Sequence, residues 1–178
     1  MNATLKTQNK TLFAALVSVA AVSLAVALPQ LFHLVGGWLG VQTALGEIFL
    51  PMHLPVMLAG FFGGPIAGLV VGLASPLISH GLTGMPLAVM LPFMMVELAG
   101  YGVCAGLLRR HKMPTVCKVL IAQVAGRGLR ALALVVAHYG LDVKAPPLSI
   151  IWTSISLGLV GIVLQLVLIP LLMKGKKR

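Results

Sequence analysis

Three ionisable side chains, Glu97, Arg127 and Arg130, stand inside long apolar runs, where a charge is costly and turns toward protein or a cavity rather than lipid. Glu97 falls 11 residues below the start of a run at 86–108, and Arg127 falls 11 residues below the end of a run at 115–138. At about 1.5 Å per residue both lie roughly 16 Å from the same membrane face, so an ion pair between them is geometrically possible. Arg130 shares a helix face with Arg127, one turn nearer that membrane face. One carboxylate cannot neutralise two guanidiniums. If Glu97 pairs with Arg127, Arg130 is left as a fork of donors facing a hollow, suited to a carboxylate, phosphate or other electron-rich group. The plainer alternative is a Glu–Arg cluster that staples two helices. Phe93, Glu97 and Tyr101 are spaced by four, with Met90 and Met94 beside them, so one helix face is aromatic, acidic and thioether. Gln165 lies within the last apolar run.

A second group of residues centres on FLPMHLPVMLAG, residues 49–60. Pro51 and Pro55 flank His53 and remove two backbone donors. A helix start broken in this way is tolerated at membrane depth where the backbone lines a cavity. His53 is expected to hydrogen-bond a ligand or a nearby carbonyl. His33, His80 and His138 lie toward the same membrane face as His53, but no two have the tight spacing of a metal-ligand motif. A haem or metal site is therefore an alternative rather than the expectation, and no metal ligand or catalytic residue is assigned. His111 sits in a basic loop. With Glu47, Glu97 and Asp142 as the acidic residues of the chain, no nucleophile–base constellation, carboxylate cluster or phosphate-cradling loop is present. An enzyme is not expected.

The elements that must position these residues follow from composition. Of 178 residues, 59% are apolar and 9% charged, and the mean hydropathy is +1.05. Soluble domains carry about 25% charged residues. The chain reads as an all-α integral membrane protein, a single membrane domain over 1–178. Apolar runs at about 11–32, 47–64, 66–80, 86–108, 115–138 and 149–173 give a six-transmembrane-helix bundle. Lys6 and Lys10 before the first run, with Ala25-Val26-Ala27, resemble a secretory signal, but the run continues to Phe32 and an uncleaved first helix is expected.

With the N and C termini cytoplasmic, ten basic residues lie inside (Lys6, Lys10, Arg109, Arg110, Lys112, Lys118, Lys174, Lys176, Lys177 and Arg178) and Lys144 alone lies outside. The formal charge of +10 is thus a topology signal, with anionic lipid as a contact, and no nucleic-acid partner is expected. Cys104 and Cys117 are expected to be reduced thiols. Small residues form stripes that let helices approach closely in lipid. Ala14, Ser18, Ala21 and Ala25 make the longest, which suits docking against a partner membrane protein. Gly68 with Gly72, and Gly102 with Gly106, make two more, and for every stripe, that of the first helix included, packing within the bundle is the plainer reading.

The stretch FLPMHLPVMLAGFFGGPIAGLVVGLASPLISHGLTGMP, followed by LPFMMVELAGYGVCAGLL, resembles the substrate-binding (S) component of an energy-coupling factor (ECF) transporter, over about residues 10–173. The resemblance implies capture of a vitamin or related micronutrient at the outer surface of a prokaryotic plasma membrane. It implies as partners a transmembrane coupling protein and two ATPase subunits; ATP is used by those partners, and this chain carries neither a Walker motif nor a cofactor. It also implies that the coupling protein docks on Ala21-xxx-Ala25, extended here by Ala14 and Ser18. The pocket would be built from Trp38, Phe93, Glu97, Tyr101, Arg127, Arg130 and Tyr139, with His53 and His80 flanking its mouth. The Met-His start of the nickel and cobalt members is missing, and no pattern for the biotin, riboflavin or thiamine members is clear, so the ligand is open. A stand-alone small carrier, or a haem- or metal-binding membrane protein, is the alternative.

Overall fold

The computed structural model describes residues 2–41, 43–141 and 145–174, with side chains from residue 7 onward. Asp142, Lys144, Lys176, Lys177 and Arg178 lie outside the described residues, as does the side chain of Lys6. Eight helices are present among the described residues, and no strand. They are α1 (Asn2–Trp38), α2 (Ala44–Phe49), α3 (His53–Gly63), α4 (Pro65–Thr83), α5 (Leu91–Leu108), α6 (Thr115–Tyr139), α7 (Ile150–Leu157) and α8 (Leu159–Lys174).

Five segments are long and apolar enough to cross a membrane: Thr7–Trp38, Ala44–Gly63, Pro65–Thr83, Leu91–Leu108 and Thr115–Tyr139. The bent pair α7–α8, angled at 54°, makes a sixth if taken as one span. Two of the expected spans are therefore broken. The run at 47–64 divides into α2 and α3 at Leu50–Met52, where Leu50 is left-handed (φ 50°, ψ 50°) and Pro51 cannot supply a backbone donor. The run at 149–173 bends at Gly158. Residues 86–90, expected to begin the fourth span, form an irregular approach to α5 instead.

The tight turn between α3 and α4 follows from its residues. Gly64 takes φ +103°, which a side chain would strain, and Pro65 opens α4 at a position that has no helical acceptor in any case. α5 is the central helix, packed against α3, α4 and α6; α1 lies against α3 and α4, and α8 against α6. Glycine makes these approaches possible. A Cβ on Gly68 would collide with the Gly102 backbone, and one on Gly72 would stand 2.6 Å from the Ala99 nitrogen. The two glycine stripes thus face each other across α4 and α5, as packing within the bundle requires. A Cβ on Gly126 would strike the Tyr101 ring, so this glycine brings α6 up to α5 where the charged residues stand.

The alanine stripe of α1 has the same use. Ala21 and Ala25 are 6% and 0% exposed and sit in the core with Val56 of α3 and Val71 of α4. Ala14 lies against Gly63, and Ser18 is half-buried, its hydroxyl donating to the Ala14 carbonyl at 2.9 Å. This corrects the expectation for Ala21 and Ala25, which are covered by α3 and α4 rather than presented to a partner, while Ala14 and Ser18 are half-buried.

Candidate functional site

The site begins from the two helix breaks. At the first, the left-handed turn of Leu50 points its carbonyl at the start of α3, where the His53 N–H donates to it at 3.1 Å. At the second, Gly158 and Gly161 let α7 and α8 close onto the first break. A Cβ on Gly158 would meet the Leu50 side chain at 2.8 Å, and one on Gly161 would meet the Phe49 carbonyl oxygen at 2.6 Å. Gln165 of α8, 2% exposed, spans this junction. Its Nε2 donates to the Leu50 carbonyl at 3.4 Å, and its Oε1 accepts from Gln123 Nε2 of α6 at 3.0 Å. The two amides satisfy each other away from water, so the breaks are held together by hydrogen bonds as well as by packing.

Above the junction the elements part around a cavity of about 430 Å³. This lies within the range of about 300–1,000 Å³ usual for small-molecule sites. Its walls come from the end of α1, from α2, from the 50–52 break, from the approach to α5 and from α7. Four thioethers, Met52, Met85, Met90 and Met94, line it. Glu97, Arg130 and His53 also line it, and they form a connected buried group. Arg130 Nη1 donates to Glu97 Oε2 at 2.9 Å, and the Tyr101 hydroxyl donates to Glu97 Oε1 at 2.7 Å. His53 Nε2 stands 3.8 Å from Oε1, beyond hydrogen-bond reach but close enough to feel its charge. The His53 and Tyr101 rings are stacked at an angle with centroids 5.1 Å apart.

Glu97 is 2% exposed and His53 6%. A carboxylate so buried must be paired, and here two charge-assisted bonds hold it. Polar nitrogens without a partner nevertheless remain. The Nε of Arg127, the Nε of Arg130 and the Nδ1 of His53 are all buried without a hydrogen-bond partner among the described residues. Two of these nitrogens belong to the side chains beside the Glu97 carboxylate, Arg130 and His53, and the third belongs to Arg127, one turn before Arg130 on α6. A group of three or more His, Cys, Asp or Glu side chains able to hold a metal ion does not occur among the described residues.

The structure brings some of the expected residues together and disperses others. His53, Glu97, Tyr101 and Arg130 converge, but only His53, Glu97 and Arg130 line the cavity; Tyr101 is buried behind Glu97, and His53 stands beside that carboxylate rather than at the mouth. The Glu97 partner is Arg130, not Arg127: α6 crosses α5 so that the later arginine meets the carboxylate, and Arg127 becomes the surplus cation. Arg127 does not line the cavity, although it lies within electrostatic reach of Tyr101. Phe93 turns away from the cavity into a separate apolar cluster with Leu134 and Ala137. Trp38 and Tyr139 are 84% and 76% exposed, because each ends its helix beyond the packed part of the bundle, and neither lines the cavity. Trp38 borders only a shallow recess with Gln30 and His33, and Tyr139 rests against the His138 ring. His80 is spent on structure, its Nδ1 2.7 Å from the Pro86 carbonyl oxygen, while Ser79 beside it faces the cavity.

The 49–55 stretch, Met52 included, was legible as a cavity wall, whereas sequence reasoning passed over Met85, Glu47 and the α7 residues as lining groups. Their signal was the pair of breaks at Pro51 and Gly158, which turns segments otherwise read as spans into cavity walls. No family model matches the chain, and comparisons with curated proteins and with solved structures find no match.

Proposed function

We propose that this chain is a membrane capture protein that binds one small molecule in the cavity floored by Glu97, Arg130 and His53. The observation that carries the reading is the buried, hydrogen-bonded Glu97–Arg130 pair opening onto a 430 Å³ hollow at two helix breaks, with donors still unfilled around it. Ionisable groups at membrane depth are expensive, and a purely structural staple would fill the space above them with apolar side chains. Irregular backbone at such depth is likewise tolerated where it lines a cavity.

In this reading the protein sits in the plasma membrane of a prokaryote as six spans, α7–α8 counting as one, with both termini cytoplasmic. The weight of Lys and Arg on the α5–α6 loop and at the two ends supports that orientation. The cavity then opens outward. The resemblance to ECF S components extends the proposal: a vitamin-like ligand is taken from outside, and a coupling protein with two ATPase subunits completes its uptake. Ala21 and Ala25 of α1 are buried in the core, so the coupling protein docks elsewhere.

The test is transport by the purified chain in sealed vesicles. The chain alone should bind its ligand without accumulating it, and accumulation should require the ATP-hydrolysing partners. Accumulation by the chain alone, driven by an ion gradient, would make it a self-sufficient carrier and reject the proposal.

A further inference from the structure

We infer that the cavity takes an organic monocarboxylate with a flat apolar body, a deepening that rests on the capture reading above. Positive charge exceeds negative charge at and just behind the cavity floor. Arg130 and Arg127 each bring one positive charge, and Glu97 brings one negative. Both Glu97 oxygens are already engaged, by Tyr101 and by Arg130. The Nε–H of each arginine is buried with no acceptor among the described residues, and of the two only Arg130 lines the cavity. An arginine nitrogen only donates, so the Arg130 Nε–H can be satisfied by an acceptor alone.

One charge of surplus calls for one negative charge. A phosphate monoester would bring nearly two, overshooting the floor, and an ammonium would add to the surplus. A neutral carbonyl would meet the donors without cancelling the charge. Arg127 stands three residues before Arg130 on α6, about 4.5 Å further from the cavity, so it acts on the ligand through its field. Glu47, the other acid lining the cavity among the described residues, is exposed, so water and salt screen it. The walls supply the body of the ligand. No Phe, Tyr or Trp lines the cavity, whereas Met52, Met85, Met90 and Met94 do. Thioethers adapt to shape and pack well against aromatic rings.

The experiment uses the full chain in detergent and a matched set of probes, phenylbutyrate, phenylbutanol and phenylbutylamine, which differ only in the head. Equilibrium dialysis measures each Kd. Phenylbutyrate should bind about tenfold or more tighter than phenylbutanol, the worth of one charge-assisted hydrogen bond, with phenylbutylamine weakest. Cyclohexylbutyrate should bind more weakly than phenylbutyrate. Arg127→Gln, which leaves the Glu97–Arg130 pair in place, should narrow the gap between carboxylate and alcohol. Alcohol or amine binding as tightly as the carboxylate overturns the monocarboxylate assignment while the cavity still captures a small molecule. Binding by none of the probes overturns the assignment and counts against the capture reading itself.

Discussion

Arg130 Nη1 and Glu97 Oε2 stand 2.9 Å apart, joining α6 to α5 at a depth where water cannot replace either partner. Removing one partner of a buried pair leaves the other unpaired, at about 3–5 kcal/mol. Arg130→Ala should therefore lower unfolding stability in detergent by that amount, and Glu97→Gln in the same chain should restore part of it. Arg127→Ala should cost less than Arg130→Ala, since Arg127 makes no ion pair among the described residues. Equal losses for the two arginines would refute the pairing.

The α4–α5 contact gives a second prediction. Even the methyl of Gly68→Ala has no room beside the Gly102 backbone. Overpacking of this kind destabilises by about 1–3 kcal/mol. Gly81→Ala, on the same helix but with nothing within 4 Å of the added carbon, should be neutral or slightly stabilising. Thermal unfolding of the two purified variants makes the comparison.

Ala25→Leu should likewise destabilise, by about 1–3 kcal/mol, because Ala25 is fully buried against α3 and α4. Ala20→Leu, on the exposed side of α1, should leave unfolding unchanged. A stable Ala25→Leu protein would return the stripe to the role of an outward docking face.

Gln165→Leu removes the donor to the Leu50 carbonyl and strands Gln123. A stranded buried amide costs about 1–3 kcal/mol. Ligand affinity should fall with stability, because the break carrying His53 loses its tie to α8. Gln123→Leu with Gln165→Leu should recover stability but not affinity, since the tie to Leu50 stays absent. Recovery of both would show that the amides serve packing alone.

What could be read from the sequence follows from the length scale of each signal. Membrane character rests on apolar runs of about 20 residues, and it is plain; the helix number is not, because two of those runs are broken at Leu50–Met52 and Gly158. The Gly68, Gly72, Gly102 and Gly106 contacts were legible because a glycine stripe has little use besides close approach. The identity of Glu97's partner was not. Arg127 and Arg130 lie one turn apart, and the crossing of α5 and α6, set by Gly100 and Gly126, decides between them. Trp38 and Tyr139 were misplaced because depth was read from helix ends, whereas these residues project past the packed bundle. The alanine stripe misled for a related reason: small residues announce a contact without naming what makes it.

The most direct test is the small-molecule content of the purified chain, read by mass spectrometry after release from detergent. The account predicts one bound molecule per folded wild-type chain, and its loss from a folded Met94→Trp variant in which the indole fills the cavity. Wild-type protein that is folded and empty when prepared from cells in rich medium, or a Met94→Trp variant that retains the same molecule, would contradict it.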